Sequence, residues 1–216
     1  MKNFIVFLVL AGLFVALPIW IYNRLIRARN EYRNAFAQIQ VQLKRRHDLI
    51  PNLVTTAEAY LKHESHTLEA VTMARNNAAA LLQAAAAQPG NLAGMLSLAE
   101  GEQQLTAALR NLNVAVEAYP ELRAEQTVKD LHEELAGTEN RVSFARQAYN
   151  DAVLEFNNAV GVFPALIVAR LFNFQPGAML QATAGEEERN AYQRYKAGQA
   201  SELDMQLLNA AYQRRE

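Results

Sequence analysis

His63-Glu64-Ser65-His66 brings two imidazoles and a carboxylate within four positions, which makes it the first segment to weigh for chemistry. A zinc hydrolase helix of the H-E-x-x-H type sets its histidines at i and i+4, so that both reach one metal while the glutamate serves as base. Here the spacing is i and i+3, and no third ligand is signalled. A di-iron bundle needs a glutamate three residues before a ligating histidine on paired helices. The residues three before His47, His63, His66 and His132 are Lys44, Tyr60, His63 and Lys129. The chain has no cysteine, which removes thiolate metal sites, disulfides and a cysteine nucleophile. Gly90 and Gly94 match neither a phosphate loop nor a serine-hydrolase elbow. The sequence therefore predicts no catalytic, cofactor-binding or metal-ligating residue, and no enzyme.

What remains is a cationic triplet set inside a helical rhythm. Tyr32, Phe36, Ile39, Leu43, Ile50, Leu53 and Ala57 recur at three and four, one stripe on one helix face, and only position 46 of that stripe carries a charge. Pro51 removes a helical hydrogen bond and clashes with the preceding turn, at about 3 kcal/mol, so a kink or the first turn of a new helix is expected there. Asp48 then serves as a cap, and Asn52 satisfies backbone groups freed by the proline. Lys44, Arg45, Arg46, Asp48, Pro51 and Asn52 together read as a structural joint that sets how copies assemble. The triplet is expected to meet an acidic face, of another subunit or of the same chain, with Glu133, Glu134 and Glu139 as partners.

The elements that must position this joint begin with an apolar run. Phe4 to Ile21 is eighteen residues without a charge, about 27 Å as a helix and close to the hydrocarbon thickness of a bilayer. Phe4, Phe7, Leu10, Phe14, Ile19 and Trp20 are its anchor residues, with Trp20 and Tyr22 suited to the headgroup region. A cleaved signal peptide competes with an uncleaved anchor, but no small-x-small cleavage site stands where one is needed. Arg24, Arg27, Arg29 and Arg33 follow the run and Lys2 alone precedes it. The positive-inside rule therefore places the body in the cytoplasm, under a single-pass anchor. A net charge of −1 gives no attraction to polynucleotides, so the bilayer is the expected partner and nucleic acid is not.

Beyond the run the periodicity predicts an all-α protein. A first helix runs from Tyr22 past Pro51 toward Leu61, a second from Leu68 to Ala87, and a third from Leu92 to about Ala118. A fourth carries Val128, Leu131, Leu135, Thr138, Val142, Ala145, Tyr149, Ala152, Phe156 and Ala159 on one seam. These four long helices form an antiparallel bundle. Gly161 and Pro164 precede an apolar run, Ala165 to Phe174, too short to span a membrane. That run is a lid over the bundle end or an exposed patch for self-association or for the bilayer interface. Phe163, Leu166, Leu171, Phe172 and Phe174 are its candidate interface residues. Residues 1–22 are thus an anchor, 23–175 the bundle, and 176–216 a polar linker with a short amphipathic tail around Leu203 and Leu207.

The stretch Val41-Gln42-Leu43-Lys44-Arg45-Arg46-His47-Asp48-Leu49-Ile50-Pro51-Asn52-Leu53-Val54, with Arg29-Asn30, Tyr60, His63-Glu64 and Ala74-Arg75, resembles the LemA family of bacterial membrane proteins. The resemblance continues through Leu112-Asn113-Val114, Glu117-Ala118-Tyr119-Pro120-Glu121-Leu122, Thr138-Glu139-Asn140-Arg141, Arg146-Gln147-Ala148-Tyr149-Asn150-Asp151-Ala152-Val153 and Phe156-Asn157. It covers about residues 20 to 175 and implies a fold and an inner-membrane location, since the family has no established chemistry. Its members typically stop near the apolar run, so the tail is a departure. The stiff exit from the bilayer, the apolar run at Ala165 to Phe174 and the extra amphipathic tail point to a self-assembling scaffold that organises or shapes the membrane. The resemblance adds weight, since relatives of the family are implicated in building internal bacterial membranes. Alternatively the resemblance implies an adaptor of another membrane protein such as a quality-control protease.

Overall fold

The structure is a computed structural model that describes residues 2–61 and 64–180. All regular structure among the described residues is helical: α1 (Lys2–Glu58), α2 (Ser65–Ala87), α3 (Leu92–Glu117), α4 (Pro120–Ala124), α5 (Gln126–Gly161) and α6 (Ala165–Leu171). α1, α2, α3 and α5 are the four long helices expected from the periodicity, and the short α4 occupies the break at Tyr119-Pro120.

α1 merges the expected anchor and first bundle helix into one element of 57 residues, about 85 Å long. Its N-terminal part protrudes. Phe4, Phe7, Leu10, Phe14, Ile19 and Trp20 are all exposed, and this part of the helix is long and apolar enough to cross a membrane. From Ile21 onward burial becomes periodic: Leu25, Tyr32, Phe36, Ile39, Leu43, Arg46, Ile50, Leu53 and Ala57 face inward. Pro51 lies inside this helix and does not start a new one.

α5 runs antiparallel along α1, and the α2–α3 hairpin packs on α1 through α2. The hairpin turns at Gly90, whose φ of +86° favours glycine. Asn91 then caps α3 by accepting from the Gly94 N–H at 3.0 Å. The core divides in two along α1. Near the protruding end Tyr32, Phe36, Met95, Tyr149 and Phe156 pack together. At the far end Ile50, Leu53, Leu105, Leu112, Leu122 and Val128 do so. Thr138, Tyr149, Phe156 and Ala159 of the α5 seam are buried as expected, and Val153 and Val160 are buried beside it because α5 has a second neighbour there.

That neighbour is the segment after α6. The chain turns by 94° between α5 and α6, and Val168 and Ala169 pack inward. Asn173, at φ 52°, reverses the backbone and drives Phe174 back into the core. Phe174 is therefore not an interface residue: its ring lies 5.7 Å from Tyr22 and 6.4 Å from Phe156, under the Arg29 guanidinium at 5.1 Å. Leu166 is half-buried, whereas Phe163, Leu171 and Phe172 are exposed. The run is thus lid on one face and open surface on the other.

Residues 176–180 then lie along α5, held by two asparagines seven apart and therefore two turns apart on one face. The Gly177 N–H donates to Asn157 Oδ1 at 2.8 Å and Asn157 Nδ2 returns a bond to the Gly177 carbonyl at 2.9 Å. Asn150 does the same for Leu180 at 2.9 and 3.2 Å. The Tyr149 hydroxyl donates to the Ala178 carbonyl at 2.6 Å, and the Ala178 N–H donates to the Gly90 carbonyl at 2.8 Å. The amphipathic tail expected around Leu203 and Leu207, like His63, lies outside the described residues.

Neutral hydrogen bonds of this kind contribute about 0.5–1.5 kcal/mol each. Asn157→Ala removes two, and is expected to lower stability by about 1–3 kcal/mol in chemical denaturation. It should also speed proteolysis around residue 177 with the helical signal unchanged. Cleavage at the wild-type rate would mean that the strap is held by other contacts.

Candidate functional site

Between the two apolar cores, at the level of the cationic triplet, lies a polar layer. α1 brings Arg46 and His47 inward at 7% and 2% exposure, and α3 presents Glu102 opposite them. α3 approaches α2 closely there, since a Cβ added at Gly101 would stand 2.6 Å from Leu81 Cδ1. Arg46 Nη1 donates to Glu102 Oε2 at 3.1 Å, and His47 Nε2 meets Glu102 Oε1 at 2.7 Å. A carboxylate only accepts, so the imidazole carries its proton on Nε2. Arg46 Nη2 donates to Thr106 Oγ1 at 3.1 Å, and that hydroxyl donates to the Glu102 carbonyl at 2.8 Å. Both carboxylate oxygens are engaged. The arrangement clamps α1 to α3.

Pro51 has no N–H, so the His47 carbonyl four residues earlier has no partner within the helix. Arg75 of α2 supplies one, its Nε donating to that carbonyl at 3.0 Å. This explains why α1 continues through the proline, and it corrects two expectations. Asn52 does not fill the gap: it is exposed, and its own carbonyl accepts from Thr56 Oγ1 at 2.8 Å. Asp48 caps nothing, because no helix restarts there; it stands exposed, 3.8 Å from Arg75 Nη2.

The triplet thus divides its tasks. Lys44 is exposed. Arg45 pairs within the chain with Glu134 of α5, through Nη2 at 2.6 Å and Nε at 3.2 Å, a solvent-facing pair of small energetic value. Arg46 turns inward to Glu102, a partner the sequence reasoning did not name, as it did not name Arg75 or Thr106. A signal for Glu102 existed. It falls between Leu98 and Leu105 on the apolar face of α3, the acidic gap in that stripe matching the basic gap in α1.

Beside the layer α3 and α5 stand apart across a groove of about 770 Å³, floored by Leu43 and Arg46 and bordered by Arg110, Glu139, Arg146 and Leu180. Burial pushes the Arg146 guanidinium below its usual pKa. The His132 imidazole, on the same helix, is likewise lowered by burial. Among the described residues no group of three His, Asp or Glu is placed to hold a metal ion.

Two predictions follow from the layer. Removing one partner of a buried pair costs about 3–5 kcal/mol, so Glu102→Ala is expected to destabilise by about that much. The double variant Arg46→Met with Glu102→Leu should recover most of the loss in denaturant titrations; no recovery would show that the layer contributes more than charge balance. Arg75→Met orphans the His47 carbonyl, a loss of about 1–3 kcal/mol. In a Pro51→Ala background residue 51 supplies its own N–H, so the same substitution should cost little. A double-mutant cycle without coupling would separate Arg75 from the proline gap.

Comparison with known proteins bears on the same residues. The sequence profile of the LemA family matches residues 35–193. The chain is also 25% identical over 181 residues to Protein LemA of Metamycoplasma hominis, an alignment covering 83% of this chain and 78% of that protein. The profile runs past the apolar segment 165–174, where the resemblance was expected to stop, and includes the asparagine-held strap. Arg46, His47, Pro51, Arg75, Glu102 and Thr106 all fall inside the matched stretch, which takes in well over half of the sequence, and the chain belongs to the LemA family.

Proposed function

We propose that the protein is a non-enzymatic, membrane-anchored scaffold, copies of which associate into a larger oligomer that organises or shapes the bacterial inner membrane. The observation that carries this reading is the open side of the bundle. α1 contacts both α5 and α2, while at the level of the polar layer α3 and α5 are separated by a groove with Leu43 and Arg46 at its floor and a charged border. A helix of a neighbouring copy can fill such a seam. The unbroken α1 adds a mechanical reason: one helix from the apolar run to the polar layer fixes the orientation of the body relative to the span, so contacts between bodies would set the spacing of spans. Four arginines after the run against Lys2 before it favour a cytoplasmic body.

Arg146 supports a second reading, an adaptor for another membrane protein. It borders the groove half-buried and without an ion pair among the described residues, so a partner helix with an acidic side chain would relieve its desolvation.

The intact protein, extracted with its lipids, is expected to run as an oligomer over a wide concentration range. Ser143 is exposed at the groove, so Ser143→Trp should shift the population toward monomer while changing stability by no more than about 0.5 kcal/mol. A wild-type monomer at every concentration would sink the scaffold. One foreign protein co-purifying at fixed stoichiometry, and lost on Arg146→Gln, would establish the adaptor instead.

A further inference from the structure

The corner between α5 and α6 carries five large apolar side chains in the open: Val162, Phe163, Ile167, Leu171 and Phe172, with Phe163 79% and Leu171 77% exposed. Single exposed apolar residues need no explanation, but a cluster of this size marks a contact. Its place on α1 identifies what it contacts. The Phe172 ring lies 4.8 Å from Tyr22, and Tyr22 immediately follows the apolar run of α1. Val162 borders the same cleft as Arg24, while Arg24 lies 5.8 Å over the Trp20 ring.

We infer that this corner is a second membrane contact, an aromatic and aliphatic foot that enters the lipid interface beside the span. The inference rests on α1 crossing the bilayer. Given that crossing, the level of Tyr22 is the level of the headgroups, and a surface touching Tyr22 faces lipid. α6 is oriented for this role. α5 runs antiparallel to α1, and the 94° turn after it lays α6 across the end of the bundle, parallel to a membrane that α1 crosses. Val168 and Ala169 are buried against the bundle, and Ile167 and Leu171 point away from it. Arg24 and Arg170 are exposed around the foot, where cations meet anionic headgroups. A second copy or a soluble partner would have to wedge between the corner and the bilayer to cover the same surface.

The chain has no cysteine, so single-cysteine variants label cleanly. Phe163→Cys, Ile167→Cys and Leu171→Cys, each in the full chain, receive an environment-sensitive fluorophore in vesicles of phosphatidylethanolamine and phosphatidylglycerol. Phe14→Cys in the apolar run and Phe144→Cys on exposed α5 are the references. Quenching by lipid-borne nitroxides and by aqueous iodide is compared, with circular dichroism confirming the fold of each variant. Labels at the three corner positions are expected at a depth of about 5–10 Å below the headgroup surface. The label at 144 should be quenched by iodide alone. If 14 is quenched by lipid while the corner labels respond only to iodide, the foot is refuted and the anchor stands. Corner labels shielded from both quenchers would assign the patch to another copy or another protein, and overturn the inference. No lipid quenching at 14 would remove the span and the foot together.

Discussion

The carboxylate of Glu102, held between Arg46 and His47, is the constraint on which the arrangement of the bundle depends. An ion removed from water is costly, and a pair of this kind is weak evidence for stability when compared with well-packed apolar residues. Its effect lies in specificity. The apolar stripes of α1 and α3 repeat every three or four residues, so a slide of one helical turn would still place apolar side chains against one another. It would also put Leu43 or Ile50 opposite Glu102 and leave the carboxylate and the guanidinium buried without partners. Only one register satisfies both stripes and the charges, and it divides the interior into the two cores observed.

Pro51 extends this constraint to a third helix. A proline in a helix interior normally ends or bends the helix because one carbonyl has no donor. Here the unfilled carbonyl belongs to His47, the residue that reaches Glu102 with its side chain, and Arg75 fills it from α2. One residue thus contacts α3 by its ring and α2 by its backbone. The hairpin is fixed against α1 at a single level by polar contacts to the neighbouring residues Arg46 and His47, while Arg45 and Glu134 meet at the same level on the side of α5.

The long helices were legible in the sequence because burial follows the helical period: every apolar member of the α1 stripe from Tyr32 to Ala57 is buried, and the charge at position 46 is buried with them. Partners across the bundle were less legible. Arg46 and Glu102 are 56 residues apart, and pairing at that distance depends on a register that no local pattern specifies. Pro51 suggested a break for the sound reason that its helix lacks a donor; the missing donor came from a different helix. Phe174 read as surface because it ends an apolar run, and its burial depends on the left-handed turn at Asn173, which hydropathy does not register. The strap was invisible for a related reason. Asn150 and Asn157 look like solvated positions, and their task is to bond a backbone that returns along α5.

A single helix leaving a bilayer can tilt and rotate about its own axis, and a body carried on it would have no defined attitude toward the membrane. The foot inferred at the base of this bundle would restrain both motions. α6 turns by 94° from α5 and presents Ile167 and Leu171 outward, while Phe172 packs on Tyr22 beside it. With α1 across the bilayer and α6 along its surface, the body would rest on two non-collinear supports. The polar layer, 24 residues beyond Tyr22, would then stand about 36 Å above the surface. The groove between α3 and α5 opens at that same height, so a partner entering it would meet every copy at one distance and one angle. Rigidity in α1 and restraint at α6 are both needed for that geometry, because a stiff stalk alone fixes the height and leaves the direction free.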